Sequence, residues 1–200
     1  MVGPQGLLMY GQLTKLEVAR RQLATAIELF FADRDVVSVY SLAANSWEVI
    51  DVLCRKAGIE SLSIQARENV PAGNELKVNY VNIPYRNFFK HADRDSEQTL
   101  PPLPDAQVEG LLFLALEDYI RLNSRSPVQF QVFQLWYLAK YPEKLGPDVS
   151  NELKEGIATA FPRLSSLPRK VRLARGAQML ADATKNQDLA SDPKTESALP

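Results

Sequence analysis

The segment YRNFFKHADRD, residues 85–95, contains the only histidine of the 200-residue chain. Arg86 stands five positions before His91 and is followed directly by Asn87. A guanidinium can hold a phosphate through two parallel hydrogen bonds, an imidazole can move a proton near neutral pH, and a carboxamide can orient either partner. In cleavage of an RNA strand, His91 would transfer the proton and Arg86 would stabilise charge on the phosphate without a metal.

The same residues fit one face of a helix. Asn82 can cap such a helix and Pro84 can occupy its first turn, where a missing N–H is harmless. At the helical step, five polar side chains share an arc of about 140°: Arg86, Asn87, Lys90, His91 and Arg94. Tyr85, Phe88 and Phe89 fall on the opposite arc, so we expect the polar arc to face solvent. Lys90 and Arg94 are then candidate phosphate-binding residues.

The elements before this segment read as two long helices. In the stretch that begins at Thr14, apolar residues recur at three- and four-residue steps, and Thr14 with Glu17 forms a capping box. The stretch from Asp35 repeats the pattern and ends at Gly58, a typical stop signal. A connection as short as ADRD predicts an antiparallel helical hairpin.

The rest of the chain predicts further helices. Residues 59–81 have broken periodicity and read as a variable loop with a possible short helix. AQVEGLLFLALEDYIRLN is apolar on most sides and predicts a central helix, and SPVQFQVFQLWYLAKYP predicts another. We therefore expect one all-α domain over residues 1–185, an up-down bundle of roughly five to eight helices, with a helical extension at 147–185. The polar residues 186–200 predict a disordered tail.

Arg-Asn-x-x-x-His near the start of a helix, after two long antiparallel helices, resembles the HEPN family. The resemblance covers about residues 14–141, and its specific part is Arg86, Asn87 and His91. It implies a small helical bundle that binds or cleaves RNA without a metal, often in a toxin–antitoxin or defence system. It also implies a homodimer with the arginine and histidine in the cleft between protomers. An antitoxin or a minimal nucleotidyltransferase would be a protein partner. The long 59–81 connection and the helical extension depart from a minimal member.

Composition limits the other classes of function. The net charge of −1 gives no overall attraction to nucleic acid or to an acidic membrane, so a polyanion site would have to be local. A single cysteine, Cys54, and a single histidine cannot supply a zinc site of the Cys/His type and fit a reducing compartment. The sequence thus predicts a cytoplasmic protein without metal, cofactor or membrane span.

Several other groups have a structural and a functional interpretation. Asp93 and Asp95 could suggest a magnesium site, but a helix-ending turn or salt bridges explain them better. A basic cluster near the C-terminus could follow a phosphate backbone, although charge runs are usually solvated: Arg163, Arg169, Lys170, Arg172 and Arg175. The aromatic residues between 130 and 141 favour core packing, and Cys54 reads as a buried apolar residue.

Two alternatives to an RNA-directed protein stay open. The first is a non-catalytic helical interaction module, in which the 59–81 connection and the C-terminal region contact a protein partner. Its sign would be a solvent-facing His91 with no cleft beside Arg86. The second is a small-molecule enzyme, which would require a deep pocket with several convergent polar groups.

Overall fold

The computed structural model describes residues 13–93, 96–146 and 149–197. Within those residues the chain is an all-helical bundle, so the predicted fold class is confirmed, and the β structure found there is a single bridge between Ser126 and Thr195. The α-helices of this part, in chain order, are α1 (Lys15–Phe31), α2 (Val36–Ala57), α3 (Leu62–Glu68), α4 (Asn87–Lys90), α5 (Asp105–Asn123), α6 (Val128–Lys140), α7 (Asn151–Ala160), α8 (Arg169–Lys185) and α9 (Gln187–Ser191).

The first two helices form the hairpin that their short connection predicts. The Thr14 hydroxyl accepts a hydrogen bond from the backbone N–H of Glu17 at 3.1 Å, so a side chain satisfies one of the free donors at the start of α1. Gly58 ends α2 with φ 66°, a left-handed conformation that glycine adopts without steric penalty. The two helices pack along each other, and the Ser46 hydroxyl donates to the Ala19 carbonyl at 2.8 Å between them.

The core lies where α2 packs between α1 and α5, with α6 beside them. On α5, four apolar residues are fully buried: Val108, Leu112, Ala115 and Leu116. The aromatic residues of α6 complete the core, because Phe133 and Trp136 contact Phe30 and Phe31 of α1 edge-on or at a tilt. The predicted use of this aromatic series in core packing is confirmed, and Cys54 is also buried as expected.

The connection between α2 and α5 is more regular than its sequence predicts. After α3 and a turn at Gly73 comes a π-helical segment, Leu76–Arg86, which we call the π segment. It is interrupted at Ile83, whose φ of −100° and ψ of 136° are not helical. A residue before proline is disfavoured in the α conformation, which explains the break in front of Pro84. The predicted helix over the RNxxxH residues is therefore reduced to the single turn of α4.

The C-terminal region packs onto the same bundle. The Trp136 indole N–H donates to the Arg172 carbonyl at 2.9 Å, and α8 approaches α1 so closely at Gly176 that a Cβ there would lie 2.2 Å from the Phe31 ring. This close approach gives Gly176 a packing reason for having no side chain.

The predicted disordered tail over 186–200 is wrong for residues 186–197. Asn186 caps the short helix α9, and the chain then runs beside Ser126, whose N–H donates to the Lys194 carbonyl at 3.0 Å. The Glu196 carboxylate accepts from the Tyr119 hydroxyl at 3.0 Å and from Asn123. Composition alone could not reveal these partners, because they lie more than 60 residues earlier in the chain. Residues 198–200 lie outside the described part.

In the described part of the chain, α2 is the helix whose length and apolar content would allow it to cross a membrane. Its buried stripe includes Val39, Ala43, Trp47 and Ile50, which belong to the common core. Packing in a helical bundle accounts for this composition as well as a membrane span would.

Candidate functional site

The candidate site lies at the junction of the π segment and α4. The sequence places its five polar residues on one outward arc of a continuous helix. The structure instead has an extended residue at Ile83, one helical turn at α4, and His91 in an extended conformation with φ −123° and ψ 97°. Only Asn87 and Lys90 therefore lie within α4.

Arg86 does not face solvent, and this expectation is wrong. Its side chain is buried, with 4% of the residue exposed, and it points at α2. The Nη2 group donates to the Asn45 side-chain oxygen at 3.0 Å and to the Glu48 carboxylate, while Nη1 donates to the Asn82 side-chain oxygen at 3.1 Å. Arg86 thus joins the π segment to α2.

The difference has a local cause. Asn45 and Glu48 are three residues apart on α2 and share one helix face, so they offer a carboxamide oxygen and a carboxylate to the same guanidinium. A helix of one turn is too short to fix which of its sides faces the core. The polar partners on α2 therefore decide where Arg86 points.

Glu48 is the electrostatic centre of this cluster. One carboxylate oxygen binds Arg86, and the other accepts from the Lys77 ammonium at 2.5 Å. These two cations, Arg86 first, lower the pKa of Glu48 from its ordinary value near 4.5 to about 2, against the opposing effect of partial burial. Glu48 is therefore ionised throughout the physiological range and neutralises the guanidinium. We call Asn45, Glu48, Lys77, Asn82 and Arg86 the Glu48 cluster.

The other predicted site residues remain on the surface. Asn87, Lys90 and His91 are exposed, and the His91 backbone N–H closes α4 by donating to the Asn87 carbonyl at 3.0 Å. Phe88 and Phe89 on the other side are half-buried, and the Phe89 ring meets the Tyr40 ring edge-on at 6.2 Å between ring centroids. Asn87, Lys90 and His91, neighbours in the sequence, are thus exposed to solvent, whereas Arg86 is buried.

Arg94, a predicted phosphate-binding residue, lies outside the described residues, as does Asp95. Asp93 is exposed in the turn that follows α4. A helix-ending turn is one of the two roles that the sequence predicts for Asp93.

The buried Arg86 guanidinium and the exposed His91 imidazole therefore differ in which ligands can reach them. The anion facing Arg86 is the Glu48 carboxylate on Nη2, and Asn82 holds Nη1, so a phosphate would have to displace both partners to use the two terminal nitrogens. The Arg86 Nε–H is buried and has no hydrogen-bond partner among the described residues. His91 is accessible to a proton donor or acceptor from solution.

The sequence reasoning missed Asn45, Glu48 and Lys77. A weak signal for the first two was present, since both polar residues lie three positions apart on one face of α2. Nothing in the sequence marks Lys77, because its contact with Glu48 depends on how the connection folds back over α2.

The C-terminal basic cluster is partly used within the molecule. Arg169 pairs with Asp33 and with Asp105, at 2.5 and 2.6 Å. Arg172 and Arg175 donate to the carbonyls of Leu167 and Pro162. Arg163 and Lys170 are exposed. A polyanion would find fewer free cations here than the sequence suggests.

In the described ranges, no group of three or more His, Cys, Asp or Glu side chains is placed to hold a metal ion. Comparison of the chain with protein-family models, with curated proteins and with solved structures gives no match. The resemblance to the HEPN family accordingly stays a prediction that depends on Arg86, Asn87 and His91.

Proposed function

We propose that the chain is a non-catalytic helical interaction module whose contact surface is built on the π segment. The observation that carries the proposal is the burial of Arg86 against α2, where it pairs with Glu48. In that position the guanidinium holds the segment in place instead of facing a phosphate beside His91. A surface that is already held in place loses less conformational entropy when a partner binds it.

The contacts of the π segment support this reading. On its inner side, the Tyr40 hydroxyl donates to the Val81 carbonyl at 2.9 Å, and Lys77 and Arg86 bind Glu48. Val81 and Tyr85 are buried with the core. The segment is thus fixed at both ends and in the middle although it is interrupted at Ile83.

Three large apolar side chains of the same segment are exposed, beside the exposed polar residues Lys77 and Asn79. Tyr80 is 47% exposed and Ile83 is 46% exposed, and Val78 is also exposed. We call these three residues the π-segment face. Large apolar side chains gain about 25 cal/mol for each Å² removed from water, and aromatic residues are enriched in protein interfaces. The fixed backbone lowers the entropy lost when this face binds.

The partner to test first is a second copy of the chain, because the HEPN resemblance implies a homodimer. In a symmetric dimer the same patch would meet itself across the two-fold axis. Sedimentation velocity over a wide range of concentration would measure the association. We expect a dimer, and we expect changing Tyr80 and Ile83 together to serine to weaken it by about tenfold or more.

A matched control is available on two other helices. Leu153 and Val171 are similarly exposed but lie on α7 and α8, so their replacement by serine should leave the association unchanged. Circular dichroism of both double variants would check the helical fold. A wild-type chain that stays monomeric, or equal effects of the two double changes, would contradict the assignment of the surface.

The second candidate function is the metal-independent endoribonuclease of a toxin–antitoxin or defence system, acting in the cytoplasm. Two observations favour it: Asn87, Lys90 and His91 are exposed together, and the Arg86 Nε–H has no partner among the described residues. In this function an RNA phosphate would displace Glu48 from Arg86, and His91 would transfer the proton. An antitoxin or a nucleotidyltransferase would be the protein partner.

Incubation with total RNA separates the two candidates. His91→Ala removes an exposed side chain and leaves the Glu48 cluster intact, so folding is not in question. Cleavage by the wild type that is lost in His91→Ala and kept in Lys144→Ala, an exposed lysine distant in sequence, would favour the nuclease. Intact RNA with all three proteins would favour the interaction module.

A further inference from the structure

Two adjoining surface cavities lie along α2, next to the Glu48 cluster. Their volumes are about 340 and 400 Å³, within the range of small-molecule sites. Asp51, Arg55 and Lys77 line both cavities, so the two form one continuous groove. We call it the α2 groove. Neither Arg86 nor His91 lines it.

The groove has more cations than anions, in a chain whose net charge is −1. Five basic side chains line it, namely Lys15, Arg55, Lys56, Arg67 and Lys77, against the acidic residues Glu48, Asp51 and Glu75. A local excess of this kind attracts an anion although the whole molecule does not.

Two of the three carboxylates are already paired. Asp51 is buried and accepts from Arg67 Nη2 at 2.7 Å and pairs with Arg55 at 3.3 Å. Glu48 binds Lys77 and Arg86. These carboxylates hold the cations in position, while the Arg55 and Lys77 side chains remain about half exposed, at 54% and 52%. Glu75, exposed on the rim of the second cavity, is the acidic residue that an anion would have to avoid.

Donors without a protein partner belong to residues that line the same groove. The Arg67 Nη1 group is buried and has no hydrogen-bond partner among the described residues. Lys15 and Lys56 are exposed on the rim of the first cavity, and no ion pair is found for either in the described part of the chain. A buried donor without a partner is unfavourable, so an acceptor that enters beside Arg67 would be favoured.

The floor of the first cavity is apolar. Val49, Val52 and Leu53 line it, and Val52 is exposed although it lies on a core helix. Water in contact with these apolar side chains is unfavourable, so a flat apolar or aromatic group that displaces this water would be stabilised. A ligand of the groove therefore combines an apolar body with an anionic end.

We propose that the α2 groove binds a small phosphorylated molecule with a flat apolar body, the chemistry of a mononucleotide. The phosphate lies at the junction of the two cavities, beside Arg55 and Lys77, which line both, and near Arg67, which lines the second, because guanidinium groups match phosphate oxygens in pairs. The base lies on Val49, Val52 and Leu53. Lys15 and Lys56 on the rim add attraction for the charge.

Isothermal titration of the full chain with AMP, adenosine and inorganic phosphate tests the proposal. We expect saturable binding of AMP, and binding weaker by about tenfold or more for either half of the molecule. Equal binding of AMP and adenosine would overturn the phosphate assignment. Absence of saturable AMP binding would overturn the site.

Variants locate the binding. Val52→Glu places a carboxylate on the floor at an exposed position, and Arg55→Ala with Lys77→Ala removes two exposed cations at the junction. Each should weaken AMP binding by about tenfold. Lys144→Ala with Lys170→Ala, two exposed lysines outside the groove, is the matched control and should bind as the wild type. Binding that is the same in all four proteins would contradict the assignment, and circular dichroism would verify that each is folded.

Discussion

Two carboxylates anchor the connection between α2 and α5, and they do so in opposite electrostatic ways. Glu48 of α2 holds the π segment and sits between the cations Arg86 and Lys77. Asp118 of α5 holds the start of α3, where its Oδ1 accepts from the Ser63 backbone N–H at 3.0 Å. Asp118 is fully buried, and its Oδ2 has no hydrogen-bond partner among the described residues.

The two environments shift the pKa values in opposite directions. Arg86 and Lys77 lower the pKa of Glu48 to about 2, whereas burial, reinforced by nearby Asp51, raises the pKa of Asp118 despite its bonds to Ser63. An ion pair therefore fixes the π segment, and a buried cap fixes α3. The comparison teaches that a buried or ion-paired carboxylate need not have a catalytic role, because both of these carboxylates anchor a neighbouring segment.

The largest effect is expected from Arg86→Ala. It leaves the Glu48 carboxylate without its buried partner and removes three hydrogen bonds from the π segment. Breaking such a pair costs about 3 kcal/mol of the free energy of unfolding. Urea unfolding would measure the loss, with Lys90→Ala as the exposed control, expected to change stability by less than about 0.5 kcal/mol. Equal midpoints for the two variants would show that Arg86 is not an anchor.

A smaller effect is expected at the second anchor. Asp118→Ala removes the acceptor for the Ser63 N–H and should lower the free energy of unfolding by about 1–2 kcal/mol. Asp118→Asn keeps an acceptor oxygen and removes a buried charge, so it should be less destabilising than alanine at neutral pH. The same urea titration compares them. An asparagine variant less stable than the alanine variant would refute the buried-cap description.

The pH dependence of stability separates the anchors by sign. Glu48 has a lowered pKa, so its contribution is complete above about pH 4.5 and is lost as the pH falls toward 2. Asp118 has a raised pKa, so the folded state holds its proton more tightly and gains stability as the pH falls through that pKa. Glu48→Gln should flatten the acid loss and Asp118→Asn should steepen it. Urea midpoints across the acid range would measure both slopes, and slopes that change in the same direction would contradict the comparison.

Particular residues show which features of the structure can be predicted from the sequence. The N-cap at Thr14, the stop at Gly58 and the core stripes could be predicted, because their causes lie within a few residues of the chain. The reciprocal half of the capping box is absent among the described hydrogen bonds, since the Glu17 carboxylate binds Arg20 and Arg21. The direction of Arg86 could not, because it depends on Asn45 and Glu48 on another helix. The same holds for Glu196, whose partners Tyr119 and Asn123 are distant in sequence. The kink at Ile83 had a local sign in Pro84, which the sequence interpretation used as a helix start instead.

The smallest effect is expected at His91. Its side chain is exposed, and its described hydrogen bond is made by the backbone, so His91→Ala should change the free energy of unfolding by less than about 0.5 kcal/mol. The urea midpoint of this variant would check the estimate. A loss comparable to that of Arg86→Ala would place His91 in the structural cluster after all.

The central claim, that Arg86 anchors the π segment through Glu48, is tested most directly by a double-mutant cycle of Arg86→Ala and Glu48→Ala in urea unfolding. We predict a coupling energy of about 1–3 kcal/mol, larger than that of the exposed pair Arg169 and Asp33 measured in the same way. A coupling near zero for Arg86 and Glu48 would contradict the claim and return Arg86 to the candidates for phosphate binding.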